Sequence, residues 1–307
     1  MKIAIMGSGG VGGYLGARLA EQNHDVTFVA RGAHLAAMKA NGLRLEDKTH
    51  PVTIKPVDAT DDPAGVGAVD VVIFSVKVYD AKAAIDAMKP LIGANTVVLD
   101  VLNGVESHTW LADAFGAAHV LRGSIYISSH IAEPGVITHE TPGVRLTFGA
   151  MDPLARPAAD ALHEALLSID VKSVVTDDID SAIWSKMVML TALSGVCCLS
   201  RLPISDVLAA PEGAAVVRRA MEEVAAVAEA RSIVLEPGAL KAVQGFDPAN
   251  IPAIKPSMLV DLERGKPLEV EWLSGAVARF GAAAGVATPT HDVVWGALRP
   301  WAKGPPH

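Results

Sequence analysis

The residues best suited to chemistry begin at Gly7-Ser8-Gly9-Gly10-Val11-Gly12, a G-x-G-x-x-G run that follows the short aliphatic stretch Lys2 to Met6. In a strand–turn–helix setting this spacing suits a pyrophosphate. Gly7 permits the tight turn, Gly9 lets the backbone approach the phosphates, and Gly12 allows close helix–strand packing. The amides that open the helix hold the anion, so Ser8, Gly10 and Val11 join the candidate cofactor-binding set. The second β-rich run, Asp25 to Ala30, is followed by Arg31. A site preferring NAD would put a carboxylate there for the ribose 2′-hydroxyl, whereas a guanidinium binds a 2′-phosphate through paired hydrogen bonds. The expected cofactor is therefore NADP(H). Ser75-Val76-Lys77 and Leu102-Asn103-Gly104-Val105 each close a further strand-like run. Ligands of open α/β sheets bind beyond such carboxyl ends, which makes Lys77 and Asn103 candidates against their plain readings as a loop lysine and a turn residue.

A second group pairs a lysine with a carboxylate. From Ser181 through Ser200 the one charged residue is Lys186, among Trp184, Met187, Val188, Met189 and Leu190. Unless its ammonium snorkels to the rim, it requires a carboxylate or a substrate anion. Glu269 is the candidate: on one continuous helix it shares a face with Leu273, Ala276, Val277 and Phe280, while Glu271 lies with Ser274, Gly275 and Arg279 and points outward. An inward Lys and an inward Glu form the pair that general-acid chemistry requires.

Two kinds of architecture must position these groups. Strand-like runs at Lys2–Met6, Asp25–Ala30, Val69–Val76, Thr96–Val101 and Val120–Ile125 alternate with helical segments such as Val11–Gln22 and Ala81–Met88, which predicts a parallel sheet covered on both faces. Antiparallel strands over Pro134–Phe148 are expected to extend that sheet, and a helix at Leu154–Leu167 with a strand at Val171–Val175 to close the domain. Beyond residue 176 the period becomes helical: Asp177–Ser200, Glu212–Arg231, Ser257–Arg264, Leu268–Ala284 and Thr288–Leu298. Asp177 and Asp178 suit a helix start and Gly285 a helix end. The fold class is α/β, an N-terminal Rossmann-type dinucleotide-binding domain (1–176) followed by an all-helical C-terminal domain (177–307).

The chain has 307 residues, of which half are hydrophobic, and 26 Lys and Arg stand against 34 Asp and Glu. The net charge of −8 without a basic cluster argues against nucleic acid, whose phosphates demand many cationic contacts. Small-molecule partners are expected. Cys197 and Cys198 are adjacent, which disfavours a bridge, and no Cys/His cluster offers a metal cage. A reducing, cytoplasmic setting follows, with no membrane span, since the nearest apolar run, Met187 to Leu199, falls short of about 18 residues. The expected self-association is a homodimer.

Taken in order, Gly7–Gly12, Arg31, Ser75-Val76-Lys77, Asn103-Gly104, Trp184-Ser185-Lys186, Ser257-Met258-Leu259-Val260-Asp261 and Leu268-Glu269-Val270-Glu271 resemble the ketopantoate reductase family, the 2-dehydropantoate 2-reductases, over nearly the whole chain. The resemblance implies NADPH-dependent reduction of a 2-keto acid to the 2-hydroxy acid. It gives Lys186 the role of protonating the keto oxygen, and Glu269 that of supporting this lysine and the substrate. Ser257 would contact the substrate carboxylate, with Asn103 and Lys77 near the nicotinamide and cofactor. In members acting on ketopantoate, asparagines stand one and two turns after the lysine; here those places hold Leu190 and Ser194. Two alternatives share the plan: a non-catalytic NADP-binding sensor or scaffold, and a 3-hydroxyacid dehydrogenase-like enzyme. The motifs around Lys186 and Glu269 favour the 2-keto acid reductase.

Overall fold

The computed structural model describes residues 1–140, 143–169, 171–241 and 253–306. The chain divides into two compact units, Met1–Leu102 with Glu106–Ile179, and Asn103–Val105 with Asp180–His307.

The first unit runs β1 (Lys2–Met6), α1 (Gly10–Glu21), β2 (Asp25–Val29), α2 (Gly32–Asn41), β3 (Leu43–Asp47), β4 (Val52–Ile54), β5 (Asp58–Thr60), β6 (Val71–Phe74), α3 (Ala81–Ala87), β7 (Val97–Asp100), α4 (Ser107–Phe115), β8 (Val120–Tyr126), β9 (Ser129–Glu133), β10 (Val136–His139), β11 (Val144–Ala150), α5 (Arg156–Leu167) and β12 (Val171–Val175). Its main sheet has the order β12-β11-β8-β7-β6-β1-β2-β5. The stretch β5-β2-β1-β6-β7-β8 is parallel and has the strand order of a Rossmann sheet, with its switch point between β1 and β6. Every residue of β6 and β7 is buried, as expected of strands covered on both faces.

The segment expected to extend this sheet divides instead. β11 does so, antiparallel to β8, but β10 joins β3, β4 and the preceding β9 in a second, four-stranded sheet of order β4-β3-β10-β9. The physical reason is α1, whose small residues let strands pack on it from the second side. A Cβ at Gly13 would meet the Ile137 side chain, and one at Gly10 would meet the backbone of Ser129.

A buried polar cluster fixes that packing. Arg18 of α1 pairs with Asp47 at 3.1 Å, and Asp47 accepts a hydrogen bond from His139 Nδ1 at 2.8 Å. Burial would raise the Asp47 carboxyl, but hydrogen bonds from Thr49, His139 and His50 outweigh it and hold the group well below the usual carboxylate range. Its stabilising contribution is therefore complete above the ordinary carboxylate pKa and is lost as pH falls below that range toward the depressed value.

The described part of the second unit is helical: α6 (Ile179–Ser200), α7 (Ile204–Ala209), α8 (Pro211–Ala230), α9 (Ser257–Glu263), α10 (Ser274–Ala284) and α11 (Pro289–Leu298). By length and composition α6 is apolar enough to cross a membrane, yet 78% of its most apolar window is buried inside the fold, so it serves as a core helix. Cys197 and Cys198 are free and buried, and burial pushes both thiols up to about 12. Gly285 ends α10 in the left-handed conformation, as expected.

Two helix expectations need correction. Asp178 directly precedes α6, but the Asp177 carboxylate accepts from Arg156 Nη1 at 3.0 Å rather than serving the helix start. The single helix expected over Leu268–Ala284 is broken: Glu269–Glu271 is a 3₁₀ turn, and Leu273 (φ −101°, ψ −97°) separates it from α10. Arg279 Nη1 donates to both the Glu271 carbonyl and its carboxylate, holding the break in place. Glu271, expected to face solvent, is half-buried and accepts from Trp295 Nε1 at 2.9 Å.

Replacing Asp47 by Ala leaves Arg18 and His139 buried without their shared carboxylate. The expected cost is about 3–5 kcal/mol in urea or guanidinium unfolding at pH 7. A loss below about 0.5 kcal/mol, the range of ordinary surface substitutions, would show that the cluster does not hold the second sheet.

Candidate active site

The glycine loop of the first unit is built by its neighbours. Gly7, at φ +100°, turns the chain so that its amide and that of Ser8 both donate to the Val29 carbonyl, at 3.3 and 3.2 Å. The Ser8 hydroxyl reaches the same oxygen at 3.0 Å. The loop is thereby tied to the carboxyl end of β2, two residues before Arg31. On its other side, Ser75 Oγ donates to the Gly7 carbonyl at 2.9 Å, which ties in the segment that follows β6 and leads to Lys77.

Gly9 and Gly12 carry glycine for different reasons. A Cβ at Gly12 would collide with the Gly7 carbonyl, Ser75 Oγ and Ile5, whereas a Cβ at Gly9 would have no atom within 4 Å. Gly12 answers to the fold. The backbone at Gly9, which precedes the first turn of α1, borders open space. Gly10 lies against β9, so its small size also serves packing.

Arg31 immediately precedes α2, and its side chain is 70% exposed. It faces Asp80, with Nη2 and Oδ2 3.8 Å apart. Asp80 was not singled out from sequence. Lying directly before the Ala-rich segment 81–88, it reads as an ordinary helix cap, yet its side chain makes no cap hydrogen bond to α3. Lys77 is half-buried ahead of the 3₁₀ turn Val78–Asp80.

In the second unit α6 is locked in rotation around Lys186. Trp184 is buried against Phe280, with ring centroids 6.0 Å apart, and the Arg231 guanidinium lies over both rings. The Ser185 hydroxyl accepts from the Glu236 amide at 2.7 Å. Lys186, half-buried, then donates from Nζ to Asn103 Oδ1 at 2.9 Å. Asn103 in turn donates from Nδ2 to Glu269 Oε2 at 3.4 Å. An ammonium has donors only and a carboxylate acceptors only, so the amide is oriented with its oxygen on the lysine and its nitrogen on the glutamate. Glu269 is 4% exposed.

Lys186, Asn103 and Glu269 are thus joined in one hydrogen-bonded chain. The inward placement of Glu269 holds, although a 3₁₀ turn provides it rather than the expected helix. Ser257 is not part of this chain: it opens α9 with an exposed side chain, and no hydrogen bond from its hydroxyl is found among the described residues. Leu190, half-buried, and Ser194, buried, follow Lys186 along α6, and Ser194 Oγ has no hydrogen-bond partner among the described residues. Among those residues no group of His, Cys, Asp or Glu is arranged to hold a metal ion.

A Rossmann unit with a glycine loop, joined to a helical unit carrying a lysine–amide–carboxylate chain, has the organisation of a nicotinamide-dependent oxidoreductase. Comparison with known proteins narrows this class. The family profile described as "Ketopantoate reductase PanE/ApbA" matches residues 3–153, and "Ketopantoate reductase PanE/ApbA C terminal" matches residues 178–302. A 2-dehydropantoate 2-reductase of Mesorhizobium japonicum is 30% identical, with 97% of each chain covered. Among solved structures, a PanE/ApbA family ketopantoate reductase from Ralstonia eutropha JMP134 is 32% identical with a TM-score of 0.89, again over 97% of each chain. D-mandelate dehydrogenase in a ternary structure with NADH and anilino(oxo)acetate has the same fold, at 23% identity, a TM-score of 0.90 and 97% coverage of both chains. The chain belongs to the ketopantoate reductase family. It is an oxidoreductase whose family reduces a small 2-keto acid to the 2-hydroxy acid with a nicotinamide cofactor.

The contrast between the two glycines gives a direct test. Gly12→Ala is expected to lower the melting temperature by several degrees, while Gly9→Ala leaves it within about one degree of the parent, because only the first forces heavy atoms apart. Equal losses in thermal melts would show that Gly9, too, is held by packing.

Proposed function

We propose that this chain reduces a 2-keto acid with NADPH, Lys186 delivering the proton to the keto oxygen, and that its substrate carries an apolar side chain in place of the ketopantoate hydroxyl. The observation that carries the reading is the Lys186–Asn103–Glu269 chain of hydrogen bonds. The dinucleotide would be held by the Gly7–Gly12 loop, Arg31 and Lys77, and when bound it supplies the hydride. The open space at Gly9 supports that placement.

As the carbonyl carbon gains a hydride, negative charge grows on its oxygen. An ammonium in a half-buried setting stabilises that charge more strongly than water would. Lys186 then passes a proton to the oxygen, completing the alcohol, and recovers one from solvent. Asn103 takes one of the three ammonium hydrogens and so fixes the direction of the others. Glu269, receiving the amide N–H, polarises the amide and strengthens the hold of its oxygen on the lysine. Ser257, at the exposed first position of α9, is assigned to the substrate carboxylate by the family resemblance.

The substrate reading rests on α6. A leucine at 190 cannot hydrogen-bond a substrate hydroxyl, and a serine at 194 reaches less far than asparagine. A site without a partner for a hydroxyl discriminates against it far less than a site built around that hydroxyl discriminates in its favour.

Two measurements test the proposal. Lys186→Ala should lower kcat by about 10²–10⁴-fold, the usual contribution of a general acid, with NADPH affinity unchanged within about twofold. Parallel loss of both would refute the assignment. Across a panel of 2-keto acids followed at 340 nm, an analogue lacking the terminal hydroxyl should exceed ketopantoate in kcat/KM by about tenfold, and Leu190→Asn should narrow the gap. Faster turnover of ketopantoate by the parent enzyme would overturn the apolar-substrate reading and leave the Lys186 chemistry standing.

A further inference from the structure

We infer that Asp80 is a specificity-determining residue for the cofactor: together with Arg31 it reads the adenosine ribose, accepts a hydrogen bond from the 2′-hydroxyl of NADH, and opposes the 2′-phosphate of NADPH, so that the chain uses both dinucleotides. The inference rests on the proposed dinucleotide site. Its basis is the ion pair of Arg31 Nη2 with Asp80 Oδ2 at 3.8 Å.

Three observations place this pair where it would matter. Arg31 follows β2 by two residues, and the β2 terminus at Val29 is tied by three hydrogen bonds to Gly7 and Ser8 of the glycine loop. A dinucleotide with its pyrophosphate on that loop sets its adenosine ribose over the end of β2. Asp80 stands at the first residue before α3, the position from which an aspartate ordinarily satisfies free helix amides, yet it forgoes that role and turns to Arg31. Its side chain is 44% exposed, so a ligand's hydroxyl can reach it.

Chemistry separates the two cofactors at such a pair. The 2′-hydroxyl of NADH is a donor, and a carboxylate is its natural acceptor. The 2′-phosphate of NADPH has acceptors only; it gains from the guanidinium but meets a like charge on Asp80. Arg31 read by itself from sequence points to NADPH, whereas the pair balances a positive and a negative group at one ribose. The carboxylate comes from the segment after β6 instead of from the end of β2, so inspection of the second strand alone does not find it.

The test is equilibrium binding of NADPH and NADH to the purified full chain, by calorimetry, in the parent and in Asp80→Asn and Arg31→Ala. The parent is expected to bind the two within about tenfold of each other. Asp80→Asn, which removes the charge and keeps the shape, should raise the preference for NADPH by about tenfold, equivalent to 1.4 kcal/mol, through tighter NADPH and weaker NADH. Arg31→Ala should move the ratio the opposite way. Asp80→Ala, with its melting temperature compared with the parent's, guards against a folding defect and should shift the ratio in the same sense as Asp80→Asn. A ratio in Asp80→Asn within twofold of the parent's, while Arg31→Ala still shifts it, would overturn the role of Asp80 and leave the dinucleotide site intact. A parent chain that binds neither dinucleotide would overturn the site and this inference together.

Discussion

An ammonium and a buried carboxylate held on opposite sides of one amide form the constraint around which the helical unit is arranged. Asn103 accepts from Lys186 and donates to Glu269, so neither ionised group is left without a polar neighbour where water is scarce. The members of this arrangement come from separate parts of the chain: Asn103, which groups with the helical unit, Lys186 on α6, and Glu269 on a 3₁₀ turn.

The dinucleotide unit is governed by close approach. Its first helix has strands packed on two sides, which is possible because residues 9, 10, 12, 13 and 16 lack side chains. The same absence that permits packing at Gly12 leaves open backbone at Gly9, so one short run combines tight packing with an exposed main chain. Arg18, Asp47 and His139 then supply the specific polar contact that apolar packing by itself does not provide.

Much of this was legible in local sequence. The glycine loop, the strands at residues 2–6, 71–74 and 97–100, and the left-handed cap at Gly285 follow from short-range rules, since turn geometry and alternation depend on neighbours only a few residues away. The inward placement of Glu269 was legible as well, from its apolar neighbours at helical spacing, whereas its connection to Lys186 through Asn103 was not. Nor was the turn that provides the placement. A continuous helix was the reasonable inference from the apolar positions 273, 276, 277 and 280, but Arg279 takes the Glu271 carbonyl and the chain breaks at Leu273.

By itself, then, the sequence determined the fold class, the alternation of elements in the first half, and the helical second half. Tertiary structure decided the rest. It sent β9 and β10 into a second sheet, made Asn103 the link between lysine and glutamate, turned Glu271 inward to Trp295, and set Asp80 against Arg31. Each of these contacts joins residues whose meeting depends on how whole elements pack. A local pattern records which face of an element is apolar, but it holds no record of which distant side chain will come to lie against that face.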